Sequence, residues 1–292
     1  MEILSTKRSR IVASVFAAAL LMPSFASSAP IAFSVQTSDI NRSNNLLYRI
    51  DLGTGAATNL GPVGVRAEGM AFGPGGILYA LDGTGTQLWN LTTPPGLPVL
   101  NTGPRLGLDA GLGFNSATGT MYNLNAGIGT SSLYTINLST GAATLVGTST
   151  VAGADNIAIR GGTAFAIDAL DPFLSGGTDS LYTVKLATGA MSPVGSLVIG
   201  FNDLVGSDFD SSGTLWMIAD QLGIFTVNTA TGLASFVATP RDTLTGAFLT
   251  GFQGLAIGPQ AVPEPASILV VATGLLALFG LRRRRVGVSS SC

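Results

Sequence analysis

Ten oxygen-bearing side chains recur at matching places along this chain. Glu68, Asp109, Asp155, Asp203 and Gln253 each precede a short apolar phrase, and Gln36, Asp82, Asn125, Asp168 and Asp220 each follow another. Carboxylates and amides gathered round one opening would suit a hard cation such as Ca²⁺, which takes oxygen ligands. Paired carboxylates across a cleft would suit acid–base work on a glycosidic bond. At strand ends the same residues also close turns, by accepting hydrogen bonds from backbone N–H groups two or three residues on. The candidate binding set is the seven acids Glu68, Asp82, Asp109, Asp155, Asp168, Asp203 and Asp220. Other chemistries are excluded by composition. The chain has no histidine, and its one cysteine is Cys292, so Ser-His-Asp and Cys-His catalysis and His- or Cys-ligated zinc have no residues to use. Asp208-Phe209-Asp210-Ser211-Ser212-Gly213 opens like an EF-hand loop, but Ala219 stands where the twelfth-position glutamate belongs. It reads as a hairpin turn.

What must position these acids is a repeat. LYTINLSTGAATLVG at 133–147 returns as LYRIDLGTGAATNLG at 47–61, LYTVKLATGAMSPVG at 181–195 and, more loosely, IFTVNTATGLASFVA at 224–238. Tyr134, Ile136 and Leu138 alternate with Thr135 and Asn137, the period of two of a strand. Ser139-Thr140-Gly141 is a tight turn, and Ala142 to Val146 is the returning strand. A second phrase lies between these hairpins: GMAFGPGGILYAL (69–81), GLGFNSATGTMYNL (111–124), NIAIRGGTAFAI (156–167) and GSDFDSSGTLWMI (206–218). Phrase plus hairpin makes four antiparallel strands in ~45 residues, the period of a β-propeller blade.

Phe72, Phe114, Ile159, Phe209 and Ile257 mark five first strands, and Tyr48, Trp89, Tyr134, Tyr182 and Phe225 mark five third strands. IAFSV at 31–35 lacks a first strand before it, and GLAIG at 254–258 has nothing after it. Joined, they complete one mixed blade and close a five-bladed ring. The expected fold is therefore an all-β propeller of four-stranded blades. In such a meander the between-blade loops share one face and the tight turns the other. Eleven acids, the seven above with Asp39, Asp171, Asp179 and Asp242, are expected on the loop face. Trp89 and Trp216, the two tryptophans, fall in strands and offer little aromatic platform for a sugar. In its LYxIDxxTGAAT phrases the chain resembles propeller-like domains of unknown function on exported bacterial proteins. That resemblance implies a fold and no activity.

The ends read differently. Lys7-Arg8-Ser9-Arg10, the apolar Ile11 to Met22 and the small residues up to Ala29 follow the plan of a secretory signal peptide, with cleavage expected after Ala29. At the other end come Pro263-Glu264-Pro265, an apolar stretch over about 266–281 and Arg282-Arg283-Arg284-Arg285. Sixteen helical residues rise ~24 Å, marginal against a ~30 Å hydrocarbon core unless snorkelling arginines extend the span, and the arginines favour the cytoplasmic side. The expected division is 1–29 signal peptide, 30–261 propeller and 262–292 tail. These tail elements, in this order, resemble the PEP-CTERM sorting signal of Gram-negative bacteria. The resemblance implies export, signal peptidase and exosortase as processing partners, removal of the tail, and a producer of exopolysaccharide.

Without its ends the chain keeps seven basic and fourteen acidic residues, a net charge of −7. Nucleic acid, which calls for clustered Lys and Arg, is not an expected partner. The leading expectation is a non-catalytic surface or matrix protein whose propeller binds or scaffolds, in contact with exopolysaccharide or other surface proteins. The alternative is a carboxylate-based, glycosidase-like enzyme acting at the channel mouth.

Overall fold

The computed structural model describes residues 29–37, 45–83, 87–92, 97–98, 110–127, 129–168, 179–199 and 205–258. The proposed signal peptide before Ala29, the tail from 262 and its spanning helix lie outside the described residues.

The described chain is a five-bladed β-propeller. The second blade is β4 (Ala67–Phe72), β5 (Leu78–Asp82), β6 (Leu88–Asn90) and β7 (Leu97–Pro98). The third is β8 (Ala110–Asn115), β9 (Thr120–Ala126), β10 (Ser131–Ile136) and β11 (Ala143–Ser149). The fourth is β12 (Ala154–Arg160), β13 (Thr163–Asp168), β14 (Ser180–Val184) and β15 (Met191–Ser196). The fifth is β16 (Val205–Phe209), β17 (Leu215–Ala219), β18 (Gly223–Val227) and β19 (Ala234–Ala238). Each is an antiparallel meander.

The first blade is built from both ends of the described chain. β1 (Ile31–Gln36), β2 (Leu46–Asp51) and β3 (Ala56–Pro62) take their inner strand from β21 (Phe252–Ile257), which pairs antiparallel with β1. This is the closure expected from the two orphan phrases. A fifth strand that the repeat does not announce, β20 (Arg241–Asp242), adds parallel to the outer edge of β3.

Because each blade has two neighbours, its inner strands are buried on both faces, and every residue of β5, β17 and β21 is buried. The buried side chains form five separate clusters, and each cluster joins one blade to the next. The seam between the fifth and first blades holds Trp216 and Ile218 against Tyr48, Ile50, Phe252 and Leu255. No blade could bury both faces alone, so stability is a property of the stacked ring.

The hairpin turn of the repeated sentence is also explained. In Asn137-Leu138-Ser139-Thr140-Gly141 the Asn137 side chain accepts from the N–H groups of Ser139 and Thr140, and Gly141 sits at φ 70°. Asp51 and Asn228 do the same for their turns. So does Asp242, which corrects one expectation. Its strand lies beside Ala56 and Ala57, next to the turn that ends at Gly55, so Asp242 belongs to the tight-turn face and not to the loop face.

Candidate functional site

Of the acids singled out by their spacing, the described ones, Glu68, Asp82, Asp155, Asp168 and Asp220, lie at one end of the ring. Ala67 pairs with Asp82, Ala154 with Asp168 and Ala110 with Asn125, which puts the starts of inner strands beside the ends of second strands. Glu68 and Asp155 are each the extra residue of a bulge, at equivalent places in β4 and β12. Most of these side chains act locally. Arg66 Nε lies 3.0 Å from Glu68 Oε1. Asp168 accepts from Ser180 N–H and from the Tyr182 hydroxyl at 3.0 Å. Burial raises the Asp168 carboxyl above its ordinary value against the pull of those two bonds; burial first, and then the Asp168 charge, push Tyr182 up to about 12. Asp220 accepts from the N–H of Gly251 and so fastens the fifth blade to the approach of β21. Asp82 is buried. Asp109 and Asp203 lie outside the described residues, and among the described residues no three acidic side chains gather closely enough to hold a metal ion.

Beyond this mouth the axis closes. The five inner strands carry, in one register, Gly69, Gly111, Asn156, Gly206 and Gly254. A Cβ on Gly111 would stand 2.4 Å from Asn156 Cα, and one on Gly206 would stand 2.3 Å from the Gly254 carbonyl carbon. Backbones pack directly against backbones here, leaving a void of about 10 Å³. Where Asn156 breaks the glycine series, Ser207 breaks the apolar series beside it, and its hydroxyl donates to Asn156 Oδ1 at 2.9 Å. Among the described residues, no open channel runs through this waist.

Past the waist, on the tight-turn face, the axis opens again into a pocket of about 430 Å³. Its collar is Phe72, Phe114, Ile159, Phe209 and Ile257, the residues that mark the five inner strands in the sequence. Phe33 holds Phe72 edge-on at 5.6 Å between ring centroids, and Phe165 lies 5.9 Å from Phe209. One position earlier in each strand stand Ala71, Gly113, Ala158, Asp208 and Ala256. Four blades place a small residue against the next blade, and the fifth places a carboxyl. Asp208 Oδ1 accepts from Phe209 N–H and Oδ2 accepts from Ile257 N–H across the seam, both at 2.8 Å. Burial nevertheless outweighs those two bonds and pushes Asp208 up to about 7.

Two other charged residues line this pocket. Asp210 is committed to the turn: Ser212 Oγ and the N–H groups of Gly213 and Thr214 donate to Oδ1, and Trp216 Nε1 donates to Oδ2 at 2.9 Å. Burial alone would raise its carboxyl, but these four bonds together hold it below the ordinary value. Arg160 is exposed at the rim, with Nη2 directed at the Ser211 carbonyl.

Asp208 is the site residue that spacing arguments passed over, because its segment reads as a turn. The signal was there in the repeat. Aligned at one register, the inner strands read small residues at this position except for one aspartate.

Residues 261–285 match the PEP-CTERM protein-sorting motif. The chain carries a PEP-CTERM sorting signal. The PEP-CTERM motif indicates an exported protein, sorted by an exosortase to the cell surface of a Gram-negative bacterium. It contains Pro263, Glu264, Pro265 and Arg282 to Arg285, as expected, all outside the described residues. No curated protein matches the chain. Among solved structures it is similar to a chain of the nidogen/laminin complex at 11% identity, with a TM-score of 0.51 over 78% of this chain and 98% of that one. It is also similar to a Bacteroides fragilis protein provisionally named 6-phosphogluconolactonase, at 14% identity and a TM-score of 0.41 over 81% of this chain and 99% of that one. Such identities speak to fold alone.

Proposed function

We propose that this PEP-CTERM protein is a non-catalytic binding module of the cell surface or extracellular matrix, and that its ligand sits in the axial pocket of the tight-turn face. The observation that carries this reading is the pairing of a collar of five apolar side chains with the Asp208 carboxyl, each of whose oxygens accepts one backbone N–H and keeps a further lone pair. A glycosidase needs two carboxylates flanking one bond. The second carboxylate in this pocket, Asp210, has four donors on its two oxygens and forms the turn. Contact with exopolysaccharide fits the expected export route, and the propeller would then act as a scaffold between surface polymers.

Two measurements on the purified protein test this together. Surface polysaccharide from the producing organism is added, binding is followed by intrinsic fluorescence, and new reducing ends are counted over hours. Saturable binding without new reducing ends, weakened by Phe114→Ala at the collar, is the expected result. Reducing ends that appear in the native protein and vanish in Asp208→Ala would replace this reading with the enzymatic one.

A further inference from the structure

We propose that the axial pocket is a binding site for a small organic cation, an ammonium group on a compact body, held by the Asp208 carboxylate inside the phenylalanine collar. The proposal rests on the pocket being a ligand site and names the ligand's chemistry.

Three observations converge on a cation. Each Asp208 oxygen accepts one backbone N–H, which leaves lone pairs on both for a donor from the ligand. The pocket's cation, Arg160, is at the rim beside Ser211 and does not neutralise Asp208, whose hydrogen bonds go to backbone N–H groups. Phe72, Phe114 and Phe209 surround the same space, and the faces of aromatic rings attract cations. A carboxylate that accepts hydrogen bonds beside aromatic rings suits an ammonium better than a neutral or anionic group. At about 430 Å³ the pocket admits a body of one or two small rings.

The affinity for such a ligand must depend on pH. An ammonium needs the ionised carboxylate, while burial holds Asp208 protonated up to about 7. Below that pH, binding expels one proton, and affinity falls about tenfold for each pH unit of acidification. The other charged groups lining the pocket are Asp210, held ionised by its turn, and exposed Arg160. Of the strands packed against β16, β17 and β21 contribute no titratable side chain, β12 contributes Asp155 and Arg160, and β4 contributes Glu68. Glu68 and Asp155 lie at the far ends of β4 and β12, beyond the waist.

The test is calorimetry on the full-length protein in an uncharged detergent, with three probes of one shape: benzylammonium, benzyl alcohol and benzoate. At pH 8 benzylammonium should bind at least ~10-fold more tightly than the alcohol, with benzoate weakest, and the preference should shrink toward pH 5. Asp208→Ala, which installs the residue three other blades carry, should reduce benzylammonium to the level of the alcohol. Arg160→Gln removes a like charge from the rim and should strengthen benzylammonium severalfold, an outcome that misfolding cannot imitate. Benzyl alcohol or benzoate binding as tightly as benzylammonium overturns the cation while leaving the pocket a ligand site. Absence of benzylammonium binding also overturns it, and the pocket's role then rests on the polysaccharide measurement.

Discussion

Replacing Asp208 by alanine should change how stability depends on pH more than it changes stability itself. The carboxyl titrates near 3.8 when solvated and near 7 in the folded protein. Between these values the unfolded chain has released the proton and the folded chain still holds it. Stability therefore falls as pH rises from about 4 to 7 and levels off above, where both states are ionised. At ~1.36 kcal/mol per pH unit the full loss is on the order of 4 kcal/mol, or about 10 °C in melting temperature for a domain of this size. Alanine removes the titration but also the acceptor for Phe209 and Ile257 N–H, which costs about 1.5–3 kcal/mol where the wild-type side chain is bonded. The two melting curves should cross: the variant less stable at pH 4 and more stable at pH 8. Asp168, raised, and Asp210 and Asp242, lowered, titrate alike in both proteins and cancel in the difference. Parallel melting temperatures across pH 4 to 8 would show that Asp208 is solvated, and would refute the burial on which its raised value depends.

Ending the chain before Phe252 removes β21, whose residues are all buried, and should cause aggregation, whereas ending it after Ala261 should leave the melting temperature unchanged; both are read by light scattering with thermal denaturation. Gly111→Ala forces a Cβ onto Asn156 and should cost more than ~3 kcal/mol, while Asn115→Ala at the rim turn, which loses a bond to Ala117 N–H, should cost about 1 kcal/mol by urea titration. Calcium and chelator should give the same melting temperature, because the described mouth acids serve local bonds; a rise of several degrees with calcium would return a metal to Glu68, Asp109, Asp155 and Asp203. Intact mass of surface material should lack Cys292, and a mass retaining 268–292 would contradict tail removal.

The repeat made the blades legible because one sentence encodes one hairpin, with alternation for the strands and Ser139-Thr140-Gly141 for the turn; that the strand ends at Ile136 and Asn137 already serves the turn was not legible. It also exposed the ring closure, since IAFSV and GLAIG lacked partners. β20 was not legible, because Arg241-Asp242 pairs by docking on an edge and has no counterpart in other blades. The second blade shows the same limit, with Leu88–Asn90 and Leu97–Pro98 too short to announce a hairpin. For the site, spacing grouped Glu68, Asp82, Asp155, Asp168 and Asp220, which the described strands bring to one end of the ring. It could not show that the waist shuts, because closure depends on backbones meeting at Gly69, Gly111, Gly206 and Gly254. Nor could it show which face holds the cavity. That is set by Phe and Ile diverging past the waist.

The way the ring is fastened shut also decides what stands at the pocket's door. β21 runs toward the tight-turn face, and Gly258, directly after it, lines the pocket. The sorting motif begins at residue 261, so two residues separate the pocket wall from the signal, a reach of at most about 11 Å from Gly258 to residue 261. We infer that an exosortase holding that signal and a ligand approaching Asp208 would share one doorway, so that removal of the tail would also clear the entrance to the pocket.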